Sequence, residues 1–242
     1  MPNFVLVHGA WHGGRCYRYT ANELRGRGHV VVTPTLSGVG ERFHASSEAI
    51  TLETHIRDVV GYIEAEELDE VVLCGHSYGG MVITGVADRM AERIKTLVYL
   101  DAFVPEHGDS CNGLLPKALA PDVAHQFLED IRGVALEKHS GMVTPLPAEM
   151  FNVTLERRDW VNRRCVPQPL ATFEMPTLLS GRADAIKRRL YIVANNWNPS
   201  RFRFFAKKYE SVAGWQVIKM HCGHSVMVDM PSELAPVLDQ LA

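Results

Sequence analysis

The chain holds 242 residues, 46% of them hydrophobic, with 25 Lys and Arg against 28 Asp and Glu and a formal net charge of -3. That length supports one large core and is short for two full domains. The balanced charge excludes the basic field that nucleic acid or an anionic membrane requires, no run of 18 apolar residues is present to span a bilayer, and a small, largely uncharged molecule suits such a chain best.

Five cysteines, at 16, 74, 111, 165 and 222, are odd in number, scattered and without a C-x-x-C pair, the usage of a reducing compartment. The first apolar run begins at residue 4 and leaves no room for a signal peptide, so the expected location is the cytoplasm.

Taken in chain order, residues 4–7 (Phe-Val-Leu-Val) read as a buried strand that runs straight into His8-Gly9-Ala10-Trp11-His12-Gly13-Gly14, a glycine-rich turn able to donate a backbone amide to an anion. A helical pattern follows at 17–25 and a strand at 29–33. Residues 51–66 form the clearest helix, opened by Thr51 and Thr54, with Leu52, Ile56, Val59, Val60 and Ile63 as its apolar stripe. The run 71–74 (Val-Val-Leu-Cys) then leads into Gly75-His76-Ser77-Tyr78-Gly79. This is G-x-S-x-G after a strand and before a helical pattern at 81–90, the sequence form of a nucleophile elbow. Glycines two before and two after Ser77 remove the Cβ atoms that collide when strand and helix fold back tightly.

A strand at 96–100 is followed by a stretch, 103–174, in which the alternation lapses into helical and irregular segments with seven prolines. Strands resume at 190–193 and 215–220, and a helix closes the chain at 231–241. Alternating short apolar strands and helices predict an α/β fold: an open, mostly parallel sheet of about six strands with helices on both faces. The expected organisation is a core of residues 1–102 and 175–242 with a helical cap, 103–174, inserted before the penultimate strand.

Acyl transfer needs a nucleophile, a base, a group that orients the base, and donors for an oxyanion. Ser77 is the candidate nucleophile. His224, in a Gly-His-Ser turn after the last strand, is the candidate base, and the backbone amides of Ala10 and Tyr78 are the natural oxyanion donors. His8 and His76 read as structural or pocket-lining. His221, Cys222 and His224 with His8 and His12 match no zinc spacing, so no metal site and no cofactor are expected. The aromatic and apolar residues Trp11, Phe103, Phe127, Met150, Phe151 and Trp160 are the candidate substrate pocket, and an apolar cap surface is compatible with a homodimer.

The segments Val7–Gly14, Leu52-Glu53-Thr54-His55, Gly75–Gly80, Leu97–Pro105 and Gly223-His224 resemble the α/β-hydrolase group that contains plant methyl-ester esterases, hydroxynitrile lyases and bacterial pyrethroid-hydrolase-like esterases. The resemblance spans nearly the whole chain and is weakest over the cap. It implies an α/β-hydrolase fold and a cofactor-free serine carboxylesterase for small, apolar or aromatic carboxylic esters.

The resemblance also marks a departure. Plant members carry the triad acid after the penultimate strand, where this chain has Ala194-Asn195-Asn196-Trp197. Asp101, at the end of the strand that follows the elbow helix, is the expected replacement, since its loop opens on the carboxyl edge of the sheet. Asn195 or Asn196 as a bare orienting amide, then Asp229 or Asp58, are the alternatives, while Asp184 precedes its strand and falls at the wrong edge. Two other functions are compatible with the resemblance, a hydroxynitrile lyase and a non-catalytic receptor for a small apolar ligand. The lyases resemble this chain but carry a threonine in the first glycine loop and a lysine directly after the histidine. Gly9 and Ser225 stand in those places, so no cation is expected beside the base, lyase chemistry loses its electrostatic partner and ester hydrolysis is favoured.

Overall fold

The apolar runs form a single six-stranded sheet. In the computed structural model, which describes residues 2–138, 140–198 and 200–242, strands β1 (Asn3–Val7), β2 (Val30–Val32), β3 (Val71–His76) and β4 (Ile94–Leu100) precede a two-residue antiparallel pair, β5 (Met142–Val143) with β6 (Gln168–Pro169). Strands β7 (Arg188–Ala194) and β8 (Trp215–Met220) complete the main sheet, whose order is β2-β1-β3-β4-β7-β8 with every neighbour parallel. All six residues of β3 are buried. Because side chains alternate between faces, both faces of the sheet centre are covered.

Helices α1 (Arg18–Gly26), α2 (Leu52–Ala65) and α3 (Gly79–Arg89) connect the first four strands. The Thr51–Thr54 start of α2 is a reciprocal capping box, and its buried face includes Leu52, Ile56, Val59 and Ile63. The later helices are α4 (Cys111–Ala118), α5 (Pro121–Lys138), α6 (Leu155–Asn162), α7 (Ala171–Glu174), α8 (Arg203–Tyr209), α9 (Val226–Asp229) and α10 (Pro231–Asp239). Helix α1 packs on α10 and α2 on α3.

Two strand boundaries differ from the sequence reading for identifiable reasons. His29 leaves β2 because its N–H closes the end of α1 on the Leu24 carbonyl. Arg188 and Arg189 extend β7 although they break the apolar run, because their backbones pair with Thr96 and Leu97 while their guanidinium groups reach the carbonyls of Gln240 and Ala183. The insertion between β4 and β7 is not purely helical. Its short pair β5–β6 is where Trp11 of the first glycine loop is tied down: the Trp11 indole donates to the Val143 carbonyl at 3.1 Å and its backbone N–H to Gln168 Oε1 at 2.8 Å.

Candidate active site

Strand β3 ends at His76 and helix α3 begins at Gly79, so the chain reverses within two residues. Ser77 takes up that reversal with φ of 54°, a conformation non-glycine residues rarely adopt. The flanking glycines are required by close approach: a Cβ on Gly75 would lie 2.5 Å from the Gly79 carbonyl oxygen, and one on Gly79 would lie 2.7 Å from that of His8. Backbone bonds lock the turn, with Ser77 N–H on the Leu100 carbonyl and the Ser77 carbonyl accepting from Gly80 and Phe103.

The neighbouring strand ends supply the other groups. Asp101 follows β4 and is fully buried, and His224 follows β8 and is 4% exposed. His224 Nδ1 lies 2.7 Å from Asp101 Oδ2, and both His224 and Ser77 line one cavity. The carboxylate is otherwise satisfied: Oδ1 accepts from Ala194 N–H at 3.0 Å and Oδ2 from the Trp197 indole at 3.1 Å. Burial pushes the Asp101 pKa up, and these two N–H donors pull against it.

The imidazole of His224 is walled by rings. Phe202 lies flat on it at 4.9 Å between centroids and 4° between planes, with Trp197 at 5.0 Å, Phe151 at 5.2 Å and His76 at 4.4 Å. Burial therefore lowers its pKa well below the ordinary histidine value, and the positive charge of Arg201 lowers it further. The neutral form, which a base needs, is favoured.

The glycine loop is held by neutral histidines. His8 donates from Nδ1 to the Gly9 carbonyl at 2.8 Å and accepts the Leu36 N–H at Nε2. Burial takes its pKa down to about 3. His55 donates from Nε2 to the Ser37 carbonyl, so its Nδ1 accepts the Tyr78 hydroxyl at 2.9 Å, and its pKa falls to about 4 by burial. His76 donates from Nε2 to the His224 carbonyl at 3.0 Å and so steadies the base's own backbone. Ala10 and Tyr78 both line the cavity, and among the described residues neither backbone N–H has a partner.

The remaining acidic candidates are engaged elsewhere. Asp229 accepts from the backbone and hydroxyl of Thr154, Asp58 from those of Ser37, and Asp184 pairs with Arg189. The chain around Asn195 and Asn196 contributes backbone bonds to Met220 and Cys222 and, through Trp197, an indole donor to Asp101. The loop after β7 thus supplies an indole donor to Asp101 rather than a carboxylate of its own.

The cavity is lined mainly by apolar and aromatic side chains. Of the expected pocket residues, Trp11, Phe103, Phe127 and Phe151 line it. Met150 and Trp160 do not. Met150 is 56% exposed, because in the single 3-10 turn Ala148–Phe151 adjacent side chains diverge and Phe151 takes the inward direction. Trp160 turns to a neighbouring cavity, where the Arg164 guanidinium lies 4.6 Å from its ring. Sequence reasoning missed Cys111 and Leu115 on α4, and Arg201 with Phe202 before α8. The reading that no cation stands beside the base is corrected here, since Arg201 enters the cavity from a loop distant in sequence from His224.

The profile of the alpha/beta hydrolase family matches residues 4–237. A carbendazim hydrolyzing esterase from Nocardioides sp. (strain SG-4G) is 66% identical over 241 residues, covering 100% of both chains. Methylesterase 10 of Arabidopsis thaliana is 26% identical, covering 100% of this chain and 92% of that protein. Among solved structures, an extracellular alpha/beta-hydrolase from a Paenibacillus species superposes with a TM-score of 0.80 at 24% identity, over 100% of this chain and 99% of that one.

Proposed function

The chain belongs to the alpha/beta hydrolase family and is a serine carboxylesterase, and we propose that Ser77 is its nucleophile, His224 its base and Asp101 the acid that orients the base. The observation that carries this assignment is the 2.7 Å contact between His224 Nδ1 and Asp101 Oδ2 at the carboxyl edge of the sheet that also presents Ser77.

In the proposed cycle Ser77 Oγ attacks the ester carbonyl carbon while His224 Nε2 takes the hydroxyl proton. Asp101 holds the imidazole in the Nδ1–H tautomer and stabilises the imidazolium that forms. The oxyanion is met by the N–H groups of Ala10 and Tyr78. Collapse expels the alcohol, which leaves with the proton from His224, and water then repeats the sequence on the acyl-serine to release the acid. The ring-lined cavity supports small aromatic or apolar esters as substrates. Likeness to the Nocardioides esterase supports carbendazim as one of them. Against lyase chemistry stands Gly9, where a Cβ would lie 2.7 Å from His76 Nδ1 and 3.0 Å from Ser77 Cβ, so a threonine has no room in the loop.

The test is covalent. A fluorophosphonate should form one adduct, on Ser77, with loss of p-nitrophenyl acetate turnover. Ser77→Ala should remove both the adduct and about 10⁵-fold of kcat while leaving the circular dichroism spectrum unchanged. Undiminished turnover by that variant would refute the assignment.

A further inference from the structure

Arg201 is the charged residue that the proposed mechanism leaves without a task. It lines the cavity together with Ser77 and His224, immediately before Phe202, whose ring lies flat on the His224 imidazole. Its Cζ lies 5.5 Å from the centre of the Phe127 ring, another cavity wall. Among the described residues no carboxylate is within 4.0 Å of its guanidinium, and its Nε is buried with no hydrogen-bond partner. The nearest acid by its influence, Asp101, is already bonded to His224, Ala194 and Trp197.

The contrast with neighbouring arginines is informative. Arg203, two residues on, is clamped by the carbonyls of Asn195 and Trp197, and Arg189 by that of Ala183. Among the described residues all three have a buried Nε without a partner, so the difference lies in the terminal nitrogens, which Arg189 and Arg203 spend on backbone carbonyls. Arg201 has five donors, an aromatic contact and, among the described residues, no hydrogen-bond acceptor, on the wall of a cavity otherwise lined mainly by apolar and aromatic groups. A guanidinium on a cavity wall whose donors the described residues leave unfilled can donate to a molecule bound in that cavity.

Resting on the esterase reading above, we propose that Arg201 is a specificity-determining residue that donates to a hydrogen-bond acceptor on the substrate away from the scissile carbonyl. The substrate class is therefore esters whose aromatic part bears a ring nitrogen, a carbonyl or a carboxylate, in preference to their plain hydrocarbon counterparts. A guanidinium beside the Phe127 ring suits a planar, acceptor-bearing aromatic substrate, since its fork of donors can bond the acceptor while its plane stacks on rings.

The experiment compares methyl benzoate with methyl nicotinate and monomethyl terephthalate on the same preparations of wild type, Arg201→Met and Arg201→Lys. Ratios of kcat/KM between substrates are independent of how much of each preparation is folded. In the wild type both acceptor-bearing esters should be preferred. Arg201→Met should reduce that preference about tenfold or more, mainly through KM, and Arg201→Lys should restore part of it for the terephthalate monoester. Binding of the same esters to Ser77→Ala, with and without Arg201→Met, provides an arm that needs no turnover and should show the same tenfold change in relative affinity. A preference that stays within twofold of wild type in Arg201→Met, or a uniform loss across the three esters, overturns the proposal. Failure of the esterase reading would appear differently, as absence of the fluorophosphonate adduct on Ser77 in the wild type.

Discussion

The sheet edge and the insertion form opposite walls of one cavity by different physical means. The strands that present Ala10, Ser77, Asp101 and His224 are paired in parallel within one sheet, with β1, β3 and β4 almost wholly buried, and each reactive group leaves the end of a strand through a turn held by backbone bonds. The insertion is looser in construction. Its longest helix, α5, exposes Val123 and Leu136, and the turn and helix that follow expose Met150 and Leu155. It is fastened to the reactive loops by hydrogen bonds that include Trp11 with Val143, Val166 and Gln168, His224 N–H with the Phe151 carbonyl, Asn152 with the Asn196 carbonyl, and Thr154 with Asp229. Chemistry is held by the part with the most register, and substrate fit by the part with the least.

That division is open to direct test. The largest effect is expected on the sheet side. Asp101→Asn keeps the size of the side chain but cannot stabilise an imidazolium, and should lower kcat by about 10³–10⁴-fold with KM little changed. A loss under about tenfold would remove Asp101 from the machinery. Asn196→Ala, on the neighbouring loop, should change kcat less than about threefold.

The pH profile tests the electrostatics of the same wall. His224 must be neutral to accept a proton, and burial with the Arg201 charge holds its pKa well below 6.5. Protonation switches the base off only as pH falls through that lowered value, so kcat/KM should stay flat through pH 6.5 and decline in more acidic solution. A decline centred at or above pH 6.5 would contradict the buried environment of this histidine.

On the insertion side the effects should be smaller and should fall on binding. Phe127→Ala removes a ring from the cavity wall and should raise KM for aromatic esters about tenfold with kcat changed less than about threefold. Met150→Ala, at an exposed position, should leave both parameters within about twofold. If Phe127→Ala instead lowered kcat as strongly as Asp101→Asn, the insertion would be part of the reactive geometry and the division would fail.

The α/β alternation, the capping box opening α2, the elbow and the histidine turn were legible because each is a local pattern: short apolar runs, a Thr-x-x-Thr start, paired glycines around a serine, a Gly-His after a strand. The order of the strands and the partner of His224 were not local in this sense. Asp101 and His224 are 123 positions apart and meet because β7 lies between β4 and β8, with Trp197 from the loop after β7 closing the carboxylate's third bond. No spacing rule singles out a tryptophan as a hydrogen-bond donor to that acid.

Arg201, Cys111 and Leu115 were invisible for the same reason, since an arginine before a helix reads as solvated surface until its surroundings are known. Met150 and Trp160 failed in the opposite direction. They are large and apolar in a region expected to cover the site, yet the direction of a side chain in a short turn or an eight-residue helix depends on what the neighbouring element offers it. Composition and periodicity, which act over a few residues, were sufficient to establish an α/β hydrolase scaffold with a serine at its elbow. The carboxylate behind the base, the rings around it and the guanidinium on the same cavity wall are set by contacts between distant strands and loops, and only the folded chain brings those together.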